Sequence, residues 1–236
     1  MIGAASGVVI TASPSSMIPG EPITITIDGL SNSSAFSLII EATLQVTPGQ
    51  DYLFETTDFG MPISLTNGQI SATTTGTKKA TYSARKGTTE VSVTKAADAD
   101  GVFSFSQAQS VPAGTYDFFR LQGTPLPATS TVVSTIQIIG EKTGPDSSRM
   151  SFAVNGIDNG RVQVVVYVDG NQVLYQTVTI GSGSSQSRQQ PPCRQPPLLL
   201  TMEGSHRQPQ PLHQQVCISQ KHFFQPIEVS RLWLMV

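Results

Sequence analysis

The sequence predicts an all-β protein, a sandwich of layered sheets, and three observations carry that prediction. Helical periodicity is almost absent, while short runs of alternating apolar and polar residues recur between Gly, Pro, Asn and Asp. Threonine occurs 24 times up to Ser185 and once after it, at Thr201, and a residue stiff at χ1 suits a pleated, half-buried surface. All three histidines, both cysteines and the single tryptophan lie beyond Ser185. The first 185 residues therefore have no disulfide framework, and a hydrophobic core must supply their stability.

The strands follow in order. The first spans 8–12, and Pro19-Gly20-Glu21-Pro22 is a turn. Residues 23–27 alternate Ile and Thr, which puts Ile23, Ile25 and Ile27 on one face; Asp28-Gly29 closes the strand. The apolar run 36–46 alternates less cleanly and fits a central or bulged strand. Short strands are expected over 52–55 and 61–65, followed by a hairpin at Asn67-Gly68, since a type I′ turn needs positive φ. Strands over 69–75, 79–84 and 88–95 come next, the last with Val91 and Val93 inward. Residues 102–105 and 115–121 flank a turn at Pro112-Ala113-Gly114, and 132–139 is again apolar. After Gly144-Pro145, three strands over 150–154, 162–168 and 172–180 are separated by Asp158-Asn159-Gly160 and Asp169-Gly170-Asn171. Three strands bury too little to stand alone. The expected layout is a main sandwich over 8–140 and a smaller β unit over 146–181 that packs on it or completes a second sandwich.

The two ends read differently. Residues 1–7 look like the remnant of a signal region or a frayed terminus, without the basic start and apolar run of a complete signal. From Gly181 the chain is a Gly/Ser linker, and 182–236 turns rich in Gln, Pro and Arg, which predicts a disordered tail. A Thr/Pro-rich stalk read one base out of frame would give such a mixture, because displaced ACN and CCN codons encode Pro, Gln and His. A genuine tail with polyproline II over 191–197 is the alternative. No run reaches the ~18 apolar residues of a membrane span.

Charge and motifs narrow the chemistry. Up to Ser185 there are nine Lys/Arg against fourteen Asp/Glu, a net of −5; the remainder has five against two, a net of +3. An acidic body with only the doublets Lys78-Lys79 and Arg85-Lys86 has no footprint for nucleic acid. Cys193, Cys217, His206, His213 and His222 match no zinc spacing. Asp98-Ala99-Asp100-Gly101 matches the opening of a calcium loop, which makes Asp98 and Asp100 the metal candidates. That loop needs further ligands at its fifth and twelfth positions, where Val102 and Gln109 stand, so a β-turn with Gly at positive φ is the stronger reading. Glu41, Asp51, Glu55, Asp58 and Glu90 supply carboxylates without a spacing that singles out a hydrolytic pair. Asn32-Ser33-Ser34 is a glycosylation sequon, with Asn32 as acceptor. Sugar stacking would fall to exposed tyrosines among Tyr52, Tyr116, Tyr167 and Tyr175. No cofactor is expected.

Two stretches resemble a known type of module. Residues 14–29, P-S-S-M-I-P-G-E-P-I-T-I-T-I-D-G, are similar to the first two strands of immunoglobulin-like domains of secreted prokaryotic proteins. Residues 111–121, V-P-A-G-T-Y-D-F-F-R-L, resemble their late Gly-Thr-Tyr strand, in which a tyrosine such as Tyr116 forms a structural corner. The layout resembles archaeal surface proteins, those of methanogens in particular. The resemblance implies an immunoglobulin-like β-sandwich at the cell surface, extracellular, with envelope components or other surface proteins as partners. It implies no catalytic residue. The expected function is a non-enzymatic structural or adhesion module, and the alternative is a carbohydrate-binding module that takes polysaccharide through its tyrosines.

Overall fold

Alternation of buried and outward side chains builds this molecule, unbroken in some strands and shifted by a residue in others. A computed structural model describes residues 7–181; the expectations for 1–6 and for 182–236 lie outside the described residues. Within them the chain forms Val9–Ser13 (β1), Ser16–Met17 (β2), Pro22–Asp28 (β3), Ala35–Gln45 (β4), Tyr52–Met61 (β5), Ser64–Thr75 (β6) and Thr77–Lys86 (β7). Then come Thr89–Ala96 (β8), Val102–Ala108 (β9), Gly114–Pro125 (β10), Thr131–Thr143 (β11), Ser148–Asn155 (β12), Gly160–Val168 (β13) and Asn171–Ile180 (β14). There is no helix among the described residues. The all-β sandwich expected from the sequence is what forms.

Two seven-stranded sheets face each other. The first runs β1-β3-β12-β5-β10-β7-β8, and the second β2-β14-β13-β4-β11-β6-β9. Pairing is antiparallel throughout except for the two-residue contact of β2 with β14. The chain passes from the first sheet to the second at the cis peptide Ser13-Pro14. β4 lies between β13 and β11 and alternates cleanly, with Phe36, Leu38, Ile40, Ala42 and Leu44 inward. Ile23, Ile25 and Ile27 are fully buried as expected. Between the sheets, Phe59 stacks on Phe152 at 5.2 Å and meets Phe119 edge-on at 5.3 Å; Tyr82 of β7 stacks across the layers on Phe105 of β9 at 4.5 Å.

Four expectations change. The 146–181 block does not form a layer of its own. β12 enters the first sheet between β3 and β5, and β13-β14 extend the second sheet beside β4. β12 and β13 are thereby each hydrogen-bonded to a strand made more than a hundred residues earlier, β3 and β4. Asn67-Gly68 is not a hairpin turn but lies inside β6, where its positive φ of 49° at Asn67 serves a β-bulge opposite Gly140. A Cβ on Gly140 would come within 3.1 Å of the Gly68 Cα, so the two backbones touch there. The strand over 52–55 extends to Met61, and the turn after it falls at Pro62-Ile63. Val91 and Val93 point toward the interior side, but β8 is the last strand of its sheet, and Val91 stays 36% exposed. The turn at Asp169-Gly170 forms as expected, with φ of 50° and 78° suited to a type I′ hairpin.

One buried cation ties two loops together. Lys142 is fully buried, and its Nζ donates to the Leu30 carbonyl at 2.7 Å, the Gly144 carbonyl at 2.8 Å and Asp146 Oδ1 at 3.1 Å. An ammonium has three protons, and each finds an acceptor. Lys142→Met should destabilise the fold by about 3 kcal/mol in urea unfolding, because two carbonyls lose their partner inside the protein. Asp146→Asn, at a side chain 68% exposed, should cost less than about 1 kcal/mol. Equal losses in the two variants would contradict this account.

Candidate functional site

Two adjacent strands slip phase together and create a polar surface of mutually contacting side chains. In β5 the inward residues are Tyr52, Phe54 and Thr56, then Phe59 and Met61; in β10 they are Tyr116, then Phe119 and Leu121. The slip falls at Asp58, with φ of 51°, and at Asp117. Its result is that Phe118 turns outward while Phe119 stays in the core.

Phe118 is nonetheless buried, because two guanidinium groups cover it. Arg120 lies 4.3 Å and Arg85 4.9 Å from its ring centroid. Both cations are held in turn. Arg120 donates to Glu55 Oε1 from Nε at 2.8 Å and from Nη2 at 2.5 Å, directly across the β5–β10 ladder. Arg85 Nε is 3.6 Å from Asp117 Oδ2, and the same oxygen accepts the Gly87 amide at 2.8 Å. Asp58, Glu90 and Thr57 complete the wall of this shallow depression. The surface can thus present the Arg120 guanidinium, fixed by two hydrogen bonds, a more exposed Arg85 beside it and several carboxylate oxygens to a partner.

Sequence-predicted residues scatter around this patch. Of the five carboxylates, Glu55, Asp58 and Glu90 meet here with Asp117, whereas Glu41 accepts from Thr135 on the second sheet and Asp51 from Thr124. Asp98 Oδ1 accepts the backbone amides of Asp100 at 3.0 Å and Val102 at 2.8 Å, and Gly101 has φ of 75°. Asp98 is therefore engaged in an Asx turn. No group of three or more His, Cys, Asp or Glu is placed to hold a metal ion among the described residues. Asn32 is exposed in the β3–β4 loop, with its Oδ1 accepting the Gly144 amide at 3.0 Å.

The tyrosines divide. Tyr52 and Tyr116 are buried. Tyr52 donates to Thr77 Oγ1 at 3.0 Å, and Tyr116 donates to the Pro112 carbonyl four residues upstream at 3.1 Å. That second bond is the one a tyrosine corner makes. Lys86 lies over the Tyr116 ring at 4.6 Å and donates to the carbonyls of Pro112 and Ala113. On the outer face of the second sheet, Tyr167 is half-buried and Tyr175 is 55% exposed. Val165 separates them: it lies two residues from Tyr167 and opposite both Tyr175 and Ile39. The stack on Phe118 had a readable sign in the sequence. Two neighbouring phenylalanines in a strand cannot share a face, and Arg120 follows the outer one at the spacing that puts it alongside. The phase slip that chooses Phe118 for the outside had no such sign.

No family model matches this chain, and no curated protein matches it. A solved structure of Spo0M, a sporulation control protein from Bacillus subtilis, is similar at 12% identity over 76% of this chain, with a TM-score of 0.20. The match spans 51% of that protein, about half its length.

Burial raises the pKa of Tyr52 and Tyr82, and it pushes that of Tyr116 up to about 12. In the unfolded chain a tyrosine ionises near pH 10. Between about pH 10 and pH 12 the unfolded state therefore releases protons that the folded state retains, and stability falls as pH rises. The urea midpoint should hold up to about pH 9.5 and decline above it, and Tyr116→Phe should show a shallower decline. Parallel slopes for the two proteins would exclude Tyr116 as a contributor.

Proposed function

We propose that this chain is a non-enzymatic module of the cell surface, acting in envelope structure or adhesion, with envelope components or other surface proteins as its partners. The observation that carries the reading is the Arg85–Phe118–Arg120 stack with its bound carboxylates. A planar sheet face that fixes charged groups in place offers recognition without the enclosed cavity that chemistry on a small substrate requires. Arginine over an aromatic ring is also a combination favoured where protein surfaces meet. An immunoglobulin-like kinship belongs to this proposal. It is supported by the Tyr116 bond to Pro112 and by the first strand's division between the two sheets. An extracellular location is supported by the exposed Asn32 sequon.

A second reading has its own observation. Tyr175, Tyr167, Val165 and Ile39 form a small apolar patch on the outer face, beside polar residues such as Ser37, Glu41 and Gln163. Such a patch suits a sugar ring of a polysaccharide.

Protease added to intact cells that express the chain should cleave it under the leading reading, and protection until lysis would refute a surface location. Electrophoresis through gels that contain soluble polysaccharides separates the two readings. Unaltered migration agrees with a protein-contact module; retardation that Tyr175→Ala abolishes assigns the chain to carbohydrate binding.

A further inference from the structure

We infer that two copies of this chain join edge to edge through β8, forming an antiparallel pair about a two-fold axis at Ser92. β8 pairs with β7 over its full eight residues on one side and, among the described residues, has no strand on the other. An open edge is a template for another strand unless something blocks it. β8 has no proline, no glycine and no register shift. The edges on the opposite flank are cut short instead: β1 has five residues and β2 two, with Pro14 between them. On its own flank β9 is also a free edge, but its inward Phe103 and Phe105 are already buried. β8 differs because its inward Val91 remains 36% exposed, with Val93 half-buried beside it. An added strand would cover both.

The register selects a second copy as that strand. Residues opposite each other in an antiparallel pair share a face and interact. Pairing centred on Ser92 sets Ser92 against Ser92 of the second copy, Val91 against its Val93, Glu90 against its Thr94 and Thr89 against its Lys95. No like charges oppose each other, and each exposed valine meets a valine. The outer-face hydroxyl pair Ser83–Ser92, at 3.0 Å, then continues across the axis to the second Ser92, while Thr94, 2.7 Å from Thr81, meets a glutamate of the second copy. Shifting the centre to Val93 would keep one valine pair, Val93 against Val93, but would set each Val91 against Lys95. The pairing rests on the edge alone and holds wherever the chain acts.

Sedimentation equilibrium of the full chain should give twice the monomer mass at high concentration. S92E, which sets two carboxylates against each other at the axis, should be monomeric with an unchanged circular dichroism spectrum. In a Cys193→Ser/Cys217→Ser background, S92C should form an intermolecular disulfide under oxidation. E90C and T94C should cross-link when mixed and not when each is alone. A monomer at every concentration overturns the inference, as does a dimer in which neither the S92C protein nor the E90C and T94C mixture cross-links. Should S92E fail to fold, the cross-links decide the matter by themselves.

Discussion

The shared phase slip of β5 and β10 is the constraint on which the rest of the first sheet depends. At Asp58 and Asp117 both strands skip a residue at the same level, so the pairing between them stays in register while their faces change. A slip in one strand alone would turn half of its side chains the wrong way against its neighbour. Made together, the two slips keep Phe59, Phe119 and Tyr116 in the interior and send Phe118 out under Arg85 and Arg120. The core's aromatic cluster and the charged outer patch are thus two faces of one backbone event.

Much of the fold was legible in the residues themselves. Ile23, Ile25 and Ile27 declare a strand with one buried face, and they are buried. Asp169-Gly170 declares a hairpin turn, because both residues tolerate positive φ. What local pattern does not encode is the choice of neighbour. Asn67-Gly68 carries the same backbone preference as Asp169-Gly170, yet it makes a bulge, since β11 runs past it and holds the strand extended. Likewise, nothing within 146–181 tells that β12 must slot between β3 and β5. Strand insertion is fixed by which apolar faces remain uncovered once all strands exist.

The candidate patch was legible only in part for the same reason. Glu55, Asp58 and Glu90 were visible as carboxylates, but they lie on strands that the sequence does not order. Arg120 opposite Glu55 follows from the β5–β10 register and from nothing nearer in the chain. Lys142 is a comparable case. A lysine in an alternating strand reads as an outward charge, and only the two loops that close over it supply the acceptors for its burial.

The place of β12 also sets the order in which the molecule can be assembled. Ile25 pairs with Met150 and Ile23 with Phe152, so the isoleucine strand must wait for a partner made about 125 residues later. At translation rates of about 5–20 residues per second that interval is roughly 6–25 s. Such distant pairing is a slow closure for any chain. Through that interval one flank of β3 and the gap beside β5 stay open to solvent, and a nascent chain of this kind has reason to be held unfolded until Ser148–Asn155 has been made.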